Sequence, residues 1–201
     1  MLAFNGNAQT EIKPSEYGFY HNEVLSEFTK KYGENQNDVN FILDKSIELM
    51  KIKHPELFKD VDASEIKKLF VVKSTSDFDY KKIWNSNIEK YYNDETNPKI
   101  IVDLVTFIVN EDSTYDQAIR KLDDFEASNK LTTNELNSLT AVKSVLVSSN
   151  EYWNAGFASR HRPGSKTLVA DFAGLAMFGW GGPVACIASF AMSYITYQND
   201  Y

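Results

Sequence analysis

Apolar residues recur along this chain at steps of three and four, the spacing of one buried helical face. Tyr17, Tyr20, Val24, Leu25, Phe28 and Tyr32 predict a first helix over 15–31, with Gly33 as its stop. Val39, Ile42, Leu43, Ile47 and Met50 predict a second from Asp38 to just before Pro55. A short third, opened by Asp62 with Glu65 three residues on, carries Ile66, Leu69, Phe70 and Val72. After the polar break at 74–77, Tyr80, Ile83, Trp84, Ile88, Tyr91 and Tyr92 mark a helix over 79–92. Asn97 and Pro98 read as N-cap and first residue of the next, which runs through Ile100, Ile101, Leu104, Val105, Ile108 and Val109. Its β-branched content leaves strand as the minor alternative. Thr114 with Gln117 and Thr132 with Glu135 are capping boxes that open helices over 115–129 and 133–153. Ile119, Leu122 and Phe125 face inward on the first, and Leu136, Leu139, Val142, Leu146 and Trp153 on the second.

The pattern changes at the C-terminal end. Residues 168–197 read LVADFAGLAMFGWGGPVACIASFAMSYITY, with Asp171 the one charged residue. The stretch is long enough for a membrane span, which takes about 20 apolar residues. Gly179, Gly181, Gly182 and Pro183 interrupt it, and glycine and proline both disfavour a helix interior. The expectation is therefore two helices, 167–178 and 183–197, each too short to cross a bilayer alone. Helices apolar on every side belong in a core or a membrane. The upstream stripes need something to cover, which favours the core. The predicted fold is all-α: a single-domain bundle of roughly seven to nine helices around a buried C-terminal hairpin. Residues 1–8 form a lead, 9–153 an amphipathic body, 154–166 a basic linker, and 167–201 the glycine-rich apolar hairpin in the same domain.

Composition narrows the function. At 201 residues with 43% hydrophobic content the chain can bury a sizeable core. A net charge of −7 argues against a nucleic-acid partner. The single cysteine, Cys186, rules out an internal disulfide and reads as a small buried apolar residue. Leu-Ala-Phe-Asn-Gly-Asn-Ala before Gln9 has the small-x-small shape of a signal cleavage region, without a charged start or a full apolar core. It reads as the remnant of a signal peptide, or else a short disordered lead, and the first reading makes the protein exported. Arg160, Arg162 and Lys166 gather in the linker before the apolar tail, either as a solvated loop or as a contact for lipid headgroup or phosphate.

No metalloprotease, nucleophile-elbow, phosphate-loop or dinucleotide signature occurs. Asp77 and Asp79 open like a calcium loop, but Lys81 and Lys82 stand where a ligand and the turn glycine belong. His54 reads as a capping or surface residue, and His161 between two arginines is poorly placed for a cation. No metal, cofactor or reaction is expected.

One constellation stands out. Tyr17, His21 and Asn22 open the first helix, and 17 and 21 share a face. Asp171, an acid in an apolar segment, needs partners. The free N–H groups of its own helix start are the local solution, and His21 or Asn22 the best distant ones. Tyr-Gly-x-x-His-Asn-x-x-Leu (Tyr17, Gly18, His21, Asn22, Leu25), with Ala-Asp-x-x-Gly (Ala170, Asp171, Gly174) and Gly-Gly-Pro-x-Ala (Gly181, Gly182, Pro183, Ala185), resembles a poorly characterised group of exported bacterial proteins. The resemblance covers the two ends of the chain and implies export, with no catalytic residue carried over. The tail is also similar in composition to membrane-active bacteriocin peptides, although the acidic body is unlike a small cationic peptide. Two functions follow as expectations. One is an exported, soluble module that binds a protein partner. The other is a membrane-active protein, bacteriocin-like or pore-forming, that releases its apolar C-terminal hairpin into a bilayer, with residues 160–197 as the membrane contact.

Overall fold

The computed structural model describes residues 11–70, 72–92, 97–155, 165–177 and 182–199. Among them the protein is all-α, with ten α-helices. They are α1 (Tyr17–Tyr32), α2 (Val39–Lys53), α3 (Pro55–Phe58), α4 (Ala63–Leu69), α5 (Tyr80–Tyr91), α6 (Lys99–Asn110), α7 (Tyr115–Ser128), α8 (Thr133–Asn154), α9 (Ser165–Met177) and α10 (Pro183–Asn199). A 3-10 turn, Pro14–Glu16, leads into α1, and another, Thr75–Asp77, precedes α5. Extended pairing among the described residues is confined to short bridges such as that between Asp38 and Ser74.

Local chemistry accounts for most starts. The Asp38 carboxylate accepts from the Asn40 and Phe41 amides, and Asp62 from that of Ser64. Thr114 with Gln117 and Thr132 with Glu135 form complete capping boxes. The β-branched run in α6 is helix, because Ile101, Val102, Val105, Ile108 and Val109 fall on one wholly buried face.

The hairpin of α9 and α10 is the centre of the molecule. α9 lies against α5, α6, α7 and α8, while α10 lies against α1, α2 and the turn at Thr75–Asp77. Every residue from Thr167 to Met177 and from Ala185 to Tyr197 is buried. The predicted break falls at 178–182, where only Gly182 lies inside the described residues; Gly179 and Gly181 are outside them. Gly182 has φ +75°, a left-handed conformation that favours glycine, and Pro183 opens α10. Aromatic packing fastens α10 to the body. Phe28 meets Phe190 and Tyr194 at 5.2 and 5.1 Å between ring centres, and Trp153 stacks on Tyr197 at 4.3 Å.

Four expectations are corrected. Ten helices exceed the predicted seven to nine, because Pro55 ends α2 and also starts the one-turn α3. The third predicted helix stops at Leu69, short of Val72, as Phe70 leaves helical geometry at ψ 71°. Asn97 does not cap α6, which begins after Pro98; its side chain turns to the end of α9 instead. Leu136 was expected to face inward but is 42% exposed, one turn before Leu139, which is fully buried.

Candidate functional site: a buried polar joint

Small residues let helices approach closely, and here they bring polar groups together. A Cβ at Gly18 would lie 2.2 Å from the Ser144 carbonyl oxygen and 2.4 Å from Ser148 Oγ, so α1 touches α8 backbone to backbone. The Gly18 amide donates to Ser144 Oγ at 3.0 Å, and that hydroxyl donates to the Ser15 carbonyl at 2.9 Å. At Gly174 a Cβ would lie 2.7 Å from both the Ala188 oxygen and Ser189 Cα, so α9 and α10 also meet backbone to backbone there.

One turn beyond Gly18, α1 presents His21 and Asn22. The Asn22 amide nitrogen donates to the Ser148 carbonyl at 2.6 Å, which turns its oxygen toward His21 Nδ1, 3.0 Å away. His21 Nε2 faces Asp171 Oδ1 at 3.3 Å. Ser149 donates its hydroxyl to Asp171 Oδ2. The Asp171 backbone oxygen accepts from Ser189 Oγ at 2.6 Å. His21, Ser149, Asp171 and Ser189 are all fully buried.

This geometry counts protons. The Ser148 carbonyl only accepts, so the Asn22 oxygen must point at His21, and Nδ1 must carry hydrogen. Nε2 and Oδ1 then share one proton, as an imidazolium facing a carboxylate or as a neutral pair. Either form is electrically neutral as a unit, as burial requires. The array is no nucleophile relay, since Ser149 bonds the carboxylate and not the imidazole. His21, Ser149 and Asp171 are sealed from solvent, and Asn22 is half-buried at their edge.

Tyr17 joins the same region by another route. Its hydroxyl accepts from the Gly182 amide at 2.9 Å, tying the start of α1 to the hairpin turn. Burial, with a smaller push from Cys186, holds that hydroxyl well above the usual phenol range, although the Gly182 bond works against it. Thus Tyr17, His21, Asn22, Asp171, Gly182 and Pro183 fall within one joint between the two ends of the chain. Arg160 and Arg162 lie outside the described residues, and Lys166 is exposed on the first turn of α9.

Sequence reasoning missed the other members. Ser149 sits on the apolar stripe of α8 with Val142, Leu146 and Trp153, and a serine on such a stripe was the available signal. Asn97, buried, donates to the Ala176 carbonyl at 2.9 Å and so closes the end of α9. Tyr194 donates to the Gly33 carbonyl at 2.9 Å, Gln198 to that of Glu34 at 2.6 Å, and Asn199 to that of Thr75 at 2.7 Å. These acceptors are backbone carbonyls at helix ends or turns, which no side-chain pattern announces.

No group of three or more His, Cys, Asp or Glu side chains is arranged to hold a metal among the described residues. Two shallow recesses lie on the outer surface. One, of about 370 Å³, carries Asp44, Asp60 and Asp62 beside Lys51 and Lys59; the other, of about 600 Å³, lies between the starts of α6 and α8. No helix among the described residues is long and apolar enough to cross a membrane. No protein-family model, no curated protein and no solved structure matches this chain.

Proposed function

We propose that this protein is an exported, soluble helical module that binds a protein partner through its outer helices and keeps the apolar hairpin as a permanent core. The carrying observation is the enclosure of the hairpin. All described positions from Thr167 to Met177 and from Ala185 to Tyr197 are buried, and Asp171 within them is bonded to His21 and Ser149. A tail so committed to packing and polar bonds is structure, which leaves the outside of the bundle to act. There, among the described residues, Phe19, Ile52, Phe107 and Leu136 are large apolar side chains that stand exposed. A photo-crosslinking residue at each of these four positions, and at exposed Glu89 as a control, tests the reading in cells that make the protein. A discrete protein adduct at an apolar position, absent at Glu89, is expected; none at any of the four would count against it. Export is tested separately, by fractionation and by the mass of the mature N-terminus, expected near Gln9.

The membrane-active reading rests on one observation: apart from Asp171 and a few hydroxyls, 168–177 and 183–197 carry apolar side chains on every face. Insertion would strip Asp171 of its partners, at roughly 2.5–3.5 kcal/mol on insertion scales. Flotation with phosphatidylglycerol-containing liposomes separates the two. The full chain is expected to stay with the unbound protein, and co-flotation would favour insertion.

A further inference from the structure

A helix buried on every side has no apolar face to orient it. Turning α9 by one residue exchanges Phe172 for Ala173, or Leu175 for Ala176, against a given neighbour, and turning α10 exchanges Ile187 for Ala188, with every one of these already buried. Sliding α10 by one turn, about 5.4 Å, brings another small residue opposite Gly174. Alanine or serine recurs on both helices at the spacing that close contact uses, at Ala170, Ala173, Ala185, Ala188 and Ala191. Hydrophobic burial therefore ranks several arrangements of the hairpin alike, being non-directional and proportional to area.

The polar groups do not. Asp171 has a donor for each carboxylate oxygen, His21 on one and Ser149 on the other, and its backbone oxygen takes Ser189. Rotating α9 or shifting it by a turn would leave the carboxylate among apolar side chains with no donor. A buried pair of this kind gains little over well-packed apolar residues, yet it penalises any arrangement that separates its members. We infer that the Asn22–His21–Asp171–Ser149 array selects one rotation and register of the C-terminal hairpin from several of similar apolar burial, and contributes little to overall stability. The assignment holds whichever function the outer surface has.

The test replaces the array by apolar groups in the full chain, His21→Leu with Ser149→Ala and Asp171→Val. This variant is expected to melt within about 4 °C of the natural protein or above it. Its amide resonances for Gly174, Ala188 and Ser189 should be doubled or broadened by exchange, while Leu122 in α7 stays single. A single sharp set, with the natural contacts between α9 and α10, would show that apolar packing alone fixes the hairpin and overturn the inference. So would a larger fall in melting temperature or a failure to fold, because the array would then be a stabiliser. A second variant, Asp171→Asn, keeps both contacts without the charge: its amide nitrogen donates to His21 Nε2 and its oxygen accepts from Ser149 Oγ. One set of resonances is expected from it, and doubling there would also overturn the inference.

Discussion

Gly18 and His21 lie one helical turn apart and do different work. Gly18 is needed for room, since a methyl group there would drive into the α8 backbone, which cannot step aside like a flexible side chain. Gly18→Ala is therefore expected to cost about 3 kcal/mol in urea unfolding, the upper range for overpacking. Gly33 has open space beside it and is constrained only by φ +81°, so Gly33→Ala should cost about 1 kcal/mol. Equal losses would remove the close-approach account. His21 is needed for its hydrogen bonds. A double-mutant cycle of His21→Ala with Asp171→Ala should give a coupling of about 1–3 kcal/mol, and strict additivity would mean that the 3.3 Å contact carries no energy.

Buried hydroxyls and the thiol bring a pH dependence of their own. Tyr17 and Tyr194 are raised above the usual tyrosine value chiefly by burial, and Cys186 above the usual thiol value by the same cause. Below about pH 7.5 all three are protonated in folded and unfolded chains alike, so they add no pH dependence. Above that, the unfolded chain releases these protons and the folded one cannot, so stability falls as pH rises. Each group contributes about 1.4 kcal/mol per pH unit beyond its unfolded value. The urea midpoint should drop between pH 8 and pH 10.5, and tyrosinate absorbance from these residues should emerge only with unfolding. Native Cys186 should likewise resist a thiol reagent at pH 8 and react once the chain is unfolded.

At the scale of elements, the stripes of α1, α2, α6 and α8, the two capping boxes and the broken tail were legible, because each is set by neighbours in sequence. The all-α class followed from them. The partnering of Asp171 with His21 was reachable from the cost of burying a carboxylate. What escaped was decided by neighbours in space. Asn97 has all the credentials of a cap, yet the open end of α9 lies beside it, and a buried carbonyl there outweighs an exposed amide. Leu136 continues the stripe of α8 one turn beyond its cover. Pro55 reads as a stop and also serves as a start. The hairpin is the element on which the rest depends. A chain ending at Lys166 should lose the surface that α1, α2 and α5 to α8 pack against. It is expected to aggregate or melt without cooperativity, and a sharp thermal transition would show that the body has a core of its own.

For the whole molecule, the arrangement is a body wound about its own C-terminal end, with His21 and Asp171 separated by 150 positions in sequence. That separation has a consequence for how the protein is made. Synthesis runs from the N-terminus, so α1 to α8 leave the ribosome before the helices they are to enclose exist. The early helices can meet one another, as α1 meets α8 at Gly18, but the faces that cover α9 and α10 have no partner yet, and the contacts that complete the core are of long sequence range and slow to form. Closure of the core is therefore expected only once translation has passed the Gly182–Pro183 turn and finished α10. Until then the chain is held open by the absence of its own centre, the condition in which a polypeptide is most easily threaded through a narrow channel and most easily lost to a protease.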